Sequence, residues 1–166
     1  MLVPLSERDI RQAAGNALER RLEWLRDGRA ERYETAGARG LGADFVGCLG
    51  EFAVAKWLGL FPFGFSGRGG ADVRGVEVRT IDEPGAALQV YPSDPDDAAF
   101  VLAFVGDVFR EGVRIVGWLP AAECKRLTYW RTEYKRAAYM VPQTYLEPAA
   151  SLADFLAPEG KQCASI

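Results

Sequence analysis

A chain of 166 residues is long enough for one domain with a proper core and short for two. Its apolar fraction of 49% and charged fraction of 26% are those of an ordinary globular protein, with no apolar run long enough to span a membrane. The absence of histidine excludes Ser-His and Cys-His nucleophiles, His-based acid/base work and most transition-metal sites, and the net charge of −3 argues against a whole surface that binds nucleic acid while leaving a local cleft open.

Ser6-Glu7-Arg8-Asp9 reads as a helix N-cap with acidic residues in the first turn. Ile10, Ala14, Ala17, Leu18, Leu22 and Leu25 recur at helical spacing behind it, which predicts a first helix over residues 6–27 with those side chains facing the core. Arg11, Arg20, Arg21 and Arg26 lie on its other face. They form either a solvated face paired with Glu19 and Glu23 or a phosphate-contacting surface. Glycines and mixed charges over 28–42 predict a loop or a broken helix.

A second helix is predicted over 42–58, with Phe45, Leu49, Phe52 and Trp57 as its apolar stripe. Gly42, Gly47 and Gly50 weaken that helix, so they point to something packed very close to it. Glu51 sits among them, either as a surface carboxylate or as a functional one. FPFGFSGRGG, residues 61–70, is a glycine-rich connection with aromatic anchors.

Strand-like runs follow at 71–74, 76–81, 87–91, 99–105 and 113–119, with GDVFREG as the turn between the last two. PAAECKRL, from residue 120, reads as a short helix with Pro120 in its first turn. One more strand and short helical turns fill the tail. Cys48, Cys124 and Cys163 are odd in number and lack CxxC spacing, which indicates neither a disulfide framework nor a zinc site. Met1–Ile10 has no basic-then-apolar leader pattern, and the expectation is a cytoplasmic protein without a membrane partner. The order of elements predicts one α/β domain, a sheet with helices on its faces.

The stretch ADVRGVEVRT, residues 71–80, carries the chemistry. With Arg74-Gly75 as a two-residue turn, Val73 pairs with Val76, and Asp72 stands opposite Glu77 on one face. Arg79 points to the same face, while Val73, Val76 and Val78 point to the other. Opposed carboxylates repel, so the hairpin needs a counter-charge. Arg79 is one solution; a divalent ion held by Asp72, Glu77 and the Val78 carbonyl is the other.

An Asp, a short gap and Glu-x-Lys on the next strand, preceded by a helix bearing Glu, form the signature of the PD-(D/E)XK nuclease superfamily. The stretches GCLGEFAVAKWLGL, ADVRGVEVRT and AFVLAFV resemble that family's core helix and first strands over about residues 42–120, most closely its small phage and bacterial members. The resemblance implies a restriction-endonuclease-like α/β fold, a central mixed sheet flanked by helices. It makes residues 1–166 a single nuclease-like domain with its core at about 42–126, and the 6–27 helix and the 127–166 tail as additions. It implies Mg²⁺, or Mn²⁺, held by Asp72, Glu77 and Glu51, hydrolysis of a phosphodiester in DNA rather than RNA, and, as in many members, a homodimer.

In the same scheme Glu51, Asp72, Glu77 and Arg79 are the catalytic set, with Arg68 and Gln89 as substrate contacts. Arg79 departs from the family's lysine. A guanidinium stays protonated, so it serves as a transition-state cation and not as a base. Two other readings stay open: an inactive nuclease-like domain that binds nucleic acid or a protein partner, and a structural α/β protein in which Asp72, Glu77 and Arg79 form only an ion-pair network. Lys125 and Arg126 read as charges that complement a helix end, and Trp57, Trp118, Trp130, Tyr129, Tyr134 and Tyr139 as core or interface.

Overall fold

The computed structural model describes residues 1–27, 38–60, 73, 75–134 and 136–156. Arg68, Asp72 and Arg74, the 61–70 connection and most of the predicted 28–42 loop lie outside them.

Ser6 caps α1, Glu7–Arg26. Its hydroxyl accepts from the Asp9 amide and the Asp9 carboxylate accepts from the Ser6 amide, a reciprocal capping box. Helix α2, Ala38–Trp57, begins earlier than the sequence predicts. Leu49, Phe52, Ala53 and Val54 are buried in it, and Phe45 and Trp57 pack at its margin.

The core stripe of α1 differs from the expectation. Ile10, Ala13 and Ala17 are buried, whereas Leu18, Leu22 and Leu25 are 48, 41 and 58% exposed. Two neighbouring stripes of α1 share helical spacing. The one with small residues faces the core, because alanine lets α1 approach α2 closely. The same stripe continues through Arg20 and Arg21, which brings two guanidinium groups to α2.

Two sheets complete the fold. The first has the order β1-β5-β4-β2, from β1 (Leu2–Val3), β2 (Val76–Ile81), β4 (Ala99–Val105) and β5 (Val113–Pro120). Strand β2 runs parallel to β4, and the other pairs are antiparallel, so the sheet is mixed. The register of β4 against β5 skips Val116, where the strand bulges. The second sheet is antiparallel, in the order β3-β7-β6, from β3 (Leu88–Val90), β6 (Trp130–Arg131) and β7 (Ala138–Val141).

Alternation along β4 builds two cores from one strand. Ala99, Val101 and Ala103 join Val76 and Val78 under α1 and α2. Phe100 and Leu102 join Leu88, Val90, Val141 and Cys124 on the opposite face. That face is covered by the small sheet and by α3 (Ala121–Cys124), where the sequence predicts flanking helices. A short α4 (Leu152–Leu156) ends the described chain, its Leu152 packed into the helix-side core. Among the described residues no helix is long and apolar enough to cross a membrane.

Candidate functional site

The predicted two-residue turn is present. Val73 and Val76 exchange both backbone hydrogen bonds, at 3.0 and 2.7 Å, around Gly75 at φ +81°. That left-handed conformation is one that glycine adopts without strain. Val73, Val76 and Val78 are buried toward the helices. Glu77 and Arg79 therefore point to the other face of β2, toward β3 and Phe100.

Arg79 is held on several sides. Its Nε donates to the Gln89 carbonyl at 3.2 Å, and its Nη2 donates to Asp94 Oδ2 at 2.6 Å. Nη1 lies 3.4 Å from Glu77 Oε2, and the guanidinium sits 5.4 Å from the centre of the Phe100 ring. Gln89 thus meets the site through its backbone, on the short strand β3, while its carbonyl aligns Arg79.

Asp94, which the sequence reading did not single out, is a close partner of Arg79. Its Oδ2 also accepts from the Tyr91 amide at 2.8 Å, and its carbonyl accepts from Lys125 Nζ at 2.6 Å. Lys125 further donates to the Pro92 carbonyl and to Asp96, so it pins the 92–96 loop where a helix-end charge was expected. A weak signal was available: an Asp three residues after Tyr91, in a Pro-rich turn, is placed to bond back to the backbone.

Glu51 belongs to the helix layer. It is 4% exposed, and both carboxylate oxygens accept from Arg20, at 3.0 Å from Nη1 and 2.8 Å from Nη2. Arg21 pairs with Asp44 at 2.9 Å. Arg20 and Arg21 thus pair with acids of α2, which neither reading of that face anticipated, whereas Arg11 pairs with Glu7 on the solvated side of α1. Gly50, next to Glu51, marks the close approach foreseen for this helix. A Cβ there would overlap Thr80 Oγ1 and lie 2.9 Å from its Cγ2.

The structure therefore brings Glu77, Arg79 and the Gln89 backbone together and anchors Glu51 to Arg20 in the other layer. Arg68 and Asp72 lie outside the described residues. Among the described residues no three acidic, histidine or cysteine side chains gather as a ligand set. Mg²⁺ takes one or two carboxylates together with waters and substrate phosphate. Glu77 supplies a carboxylate of that kind, and it is paired with Arg79, whose Nη1 lies 3.4 Å from its Oε2. Glu51 does not fit that chemistry in this arrangement, because Arg20 engages both oxygens.

Cys124 lies under the site and is buried among apolar neighbours. Burial, with the Glu123 charge, pushes its thiol up to about 12, against smaller opposing effects of Arg79 and Lys125. It is no nucleophile at neutral pH. Comparison of the chain with protein-family models, with curated proteins and with solved structures finds no match.

Proposed function

We propose that the protein is a metal-dependent nuclease that hydrolyses phosphodiester bonds in DNA, on a restriction-endonuclease-like fold. The observation that carries this reading is the paired projection of Glu77 and Arg79 from β2, next to a two-residue turn at Val73–Val76. A metal-ligating acid and a permanent cation on one strand face, with an aspartate just before the turn, are the parts that phosphoryl hydrolysis needs. Asp72 and Glu77 would hold Mg²⁺ or Mn²⁺, which supplies an acidified water and a Lewis acid for the phosphate. Arg79 faces the charge that develops on the phosphorane oxygens and takes no proton. Glu51 would join the ligands only by exchanging Arg20 for the ion.

The reading is tested by incubating the protein with supercoiled, linear and single-stranded DNA in Mg²⁺, Mn²⁺ or EDTA. Cleavage that EDTA abolishes is the expected result. A second reading, a nuclease-like domain that binds nucleic acid or a protein partner without cutting, is favoured by the bonds that tie Arg79 to Asp94 and Gln89. DNA retained but uncut by the folded protein, with or without metal, would select it.

A further inference from the structure

The stretch KRLTYWRTEYKR, residues 125–136, holds five basic residues and one acidic one in a chain of net charge −3, with Tyr129, Trp130 and Tyr134 set among them. It runs from the end of α3 through β6 into the turn before β7. Lys125 is bound to the 92–96 loop, and Arg126 pairs with Glu123.

Arg131 and Arg136, which flank the β6–β7 turn, are held otherwise. Arg131 Nη1 donates to the Thr128 and Trp130 carbonyls at 3.0 and 2.8 Å. Glu133 lies 3.9 Å from Arg131 Nε and turns its other oxygen to the Thr132 amide. Arg136 donates to the Ser93 hydroxyl at 3.1 Å and stands 4.0 Å over the Tyr91 ring. Neutral acceptors and a ring face fix a guanidinium in place without cancelling its charge. Two cations are thus ordered at the surface before any anion arrives, which removes part of the entropic cost of binding one.

Aromatic rings border them. Trp130 packs on Tyr139 with 4.8 Å between ring centres, and Tyr129 on Tyr145 with 5.8 Å. Tyr134 and Tyr145 are 50 and 61% exposed. Exposed rings beside fixed cations are what a single strand of nucleic acid requires: platforms for unpaired bases and contacts for phosphates. Charge decides among occupants. A second copy laid on this face would set basic residues against basic residues. A broad anionic bilayer would also meet the carboxylates of Asp96 and Glu123, which pair with Lys125 and Arg126. A strand is thin enough to follow the hairpin alone.

We propose that the β6–β7 hairpin, with Tyr145, binds unpaired DNA, Arg131 and Arg136 meeting phosphates and Tyr134 and Tyr145 stacking on bases. The inference rests on the nuclease reading above for the choice of DNA, and it names the single strand as the form taken. It requires neither metal nor cleavage.

Fluorescence anisotropy of a labelled oligothymidylate with the full chain, in EDTA, tests it. Wild type binds the strand more tightly than a duplex of the same length. Arg131→Gln and Arg136→Gln each flatten the slope of log affinity against log salt by about 0.7, the single-strand value for one phosphate contact. Tyr145→Ala weakens binding by about fivefold or more without changing the slope, and Tyr145→Phe restores it. Phe109→Ala and Arg110→Gln, in the exposed turn between β4 and β5, change neither quantity.

A strand that wild type does not bind, affinity or slope that the hairpin and Tyr145 variants leave unchanged, or equal affinity for duplex overturns the inference. So does displacement of the strand by phosphatidylserine vesicles, or a dimer in light scattering that Tyr145→Ala dissociates. Each of these leaves the nuclease reading standing. That reading fails separately, on supercoiled DNA left uncut in every metal, and strand binding in EDTA would survive its failure.

Discussion

Arg20 of α1 and Glu51 of α2, 31 residues apart in sequence, are joined by two hydrogen bonds of 3.0 and 2.8 Å. The pair crosses the interface of the two long helices at a point where the carboxylate is almost wholly buried and the arginine keeps partial access to water. The two partners are therefore unequal. Arg20→Ala leaves a buried carboxylate without its guanidinium and is expected to destabilise the fold by about 2–3 kcal/mol, below the full penalty for a wholly buried pair because water reaches this one. Glu51→Gln leaves a cation that water can solvate, so its effect is expected to be smaller. Urea denaturation of both variants checks the order.

Two glycines of α2 should respond in opposite directions. At Gly50 an added Cβ overlaps Thr80 on β2, so Gly50→Ala is expected to destabilise by about 1–3 kcal/mol. At Gly47 nothing lies within 4 Å of the built Cβ, and Gly47→Ala is expected to stabilise by about 0.5–1 kcal/mol through helix propensity. The contrast in urea midpoints separates close approach from backbone freedom as the reason for each glycine.

The α1 cap predicts a pH dependence. Burial alone would raise the Asp9 carboxyl, but hydrogen bonds from Lys56 and from Ser6 outweigh it and hold the group below its usual 3.8. A carboxyl depressed on folding contributes stability that is present above its unfolded value and lost as pH falls through the folded one. Asp9→Asn should therefore cost about 0.5–1 kcal/mol at pH 7. The difference from wild type should shrink as pH falls below about 4. Denaturation at a series of pH values checks this.

The two thiols within the described residues should be silent. Cys48 and Cys124 are fully buried, and Cys124 is pushed up to about 12. In a Cys163→Ser background, a disulfide reagent at pH 8 is expected to modify neither in the native state and both in guanidinium.

How much of this could be read from the chain depends on the range of each interaction. The bounds of β2 and β4, the Ser6 cap and the Val73–Val76 turn rest on local rules of alternation, capping and glycine conformation, and they were legible. The core face of α1 was not. Two stripes satisfied one period, and the choice fell to alanines whose value lies in closeness to α2. The small sheet was missed as a sheet because β3 and β6 have three and two residues, too few to show alternation, and pair only through β7. At the site, Glu77 and Arg79 were found because they share a strand. Two of the partners, Asp94 for Arg79 and Arg20 for Glu51, were not, because each is a contact between distant segments that no spacing encodes.

The proposed function places Glu77 in a metal-dependent hydrolytic site in which Arg79 serves where the PD-(D/E)XK nucleases that the sequence resembles have lysine. It is tested most directly by comparing wild type, Glu77→Gln and Arg79→Lys on supercoiled DNA with Mg²⁺ or Mn²⁺. Glu77→Gln is nearly isosteric, so loss of activity would not reflect loss of fold. Metal-dependent nicking by wild type is expected, with its loss by at least about a hundredfold in Glu77→Gln and its retention in Arg79→Lys. Nicking that Glu77→Gln leaves intact, or folded wild-type protein that leaves DNA uncut in every metal, would contradict it.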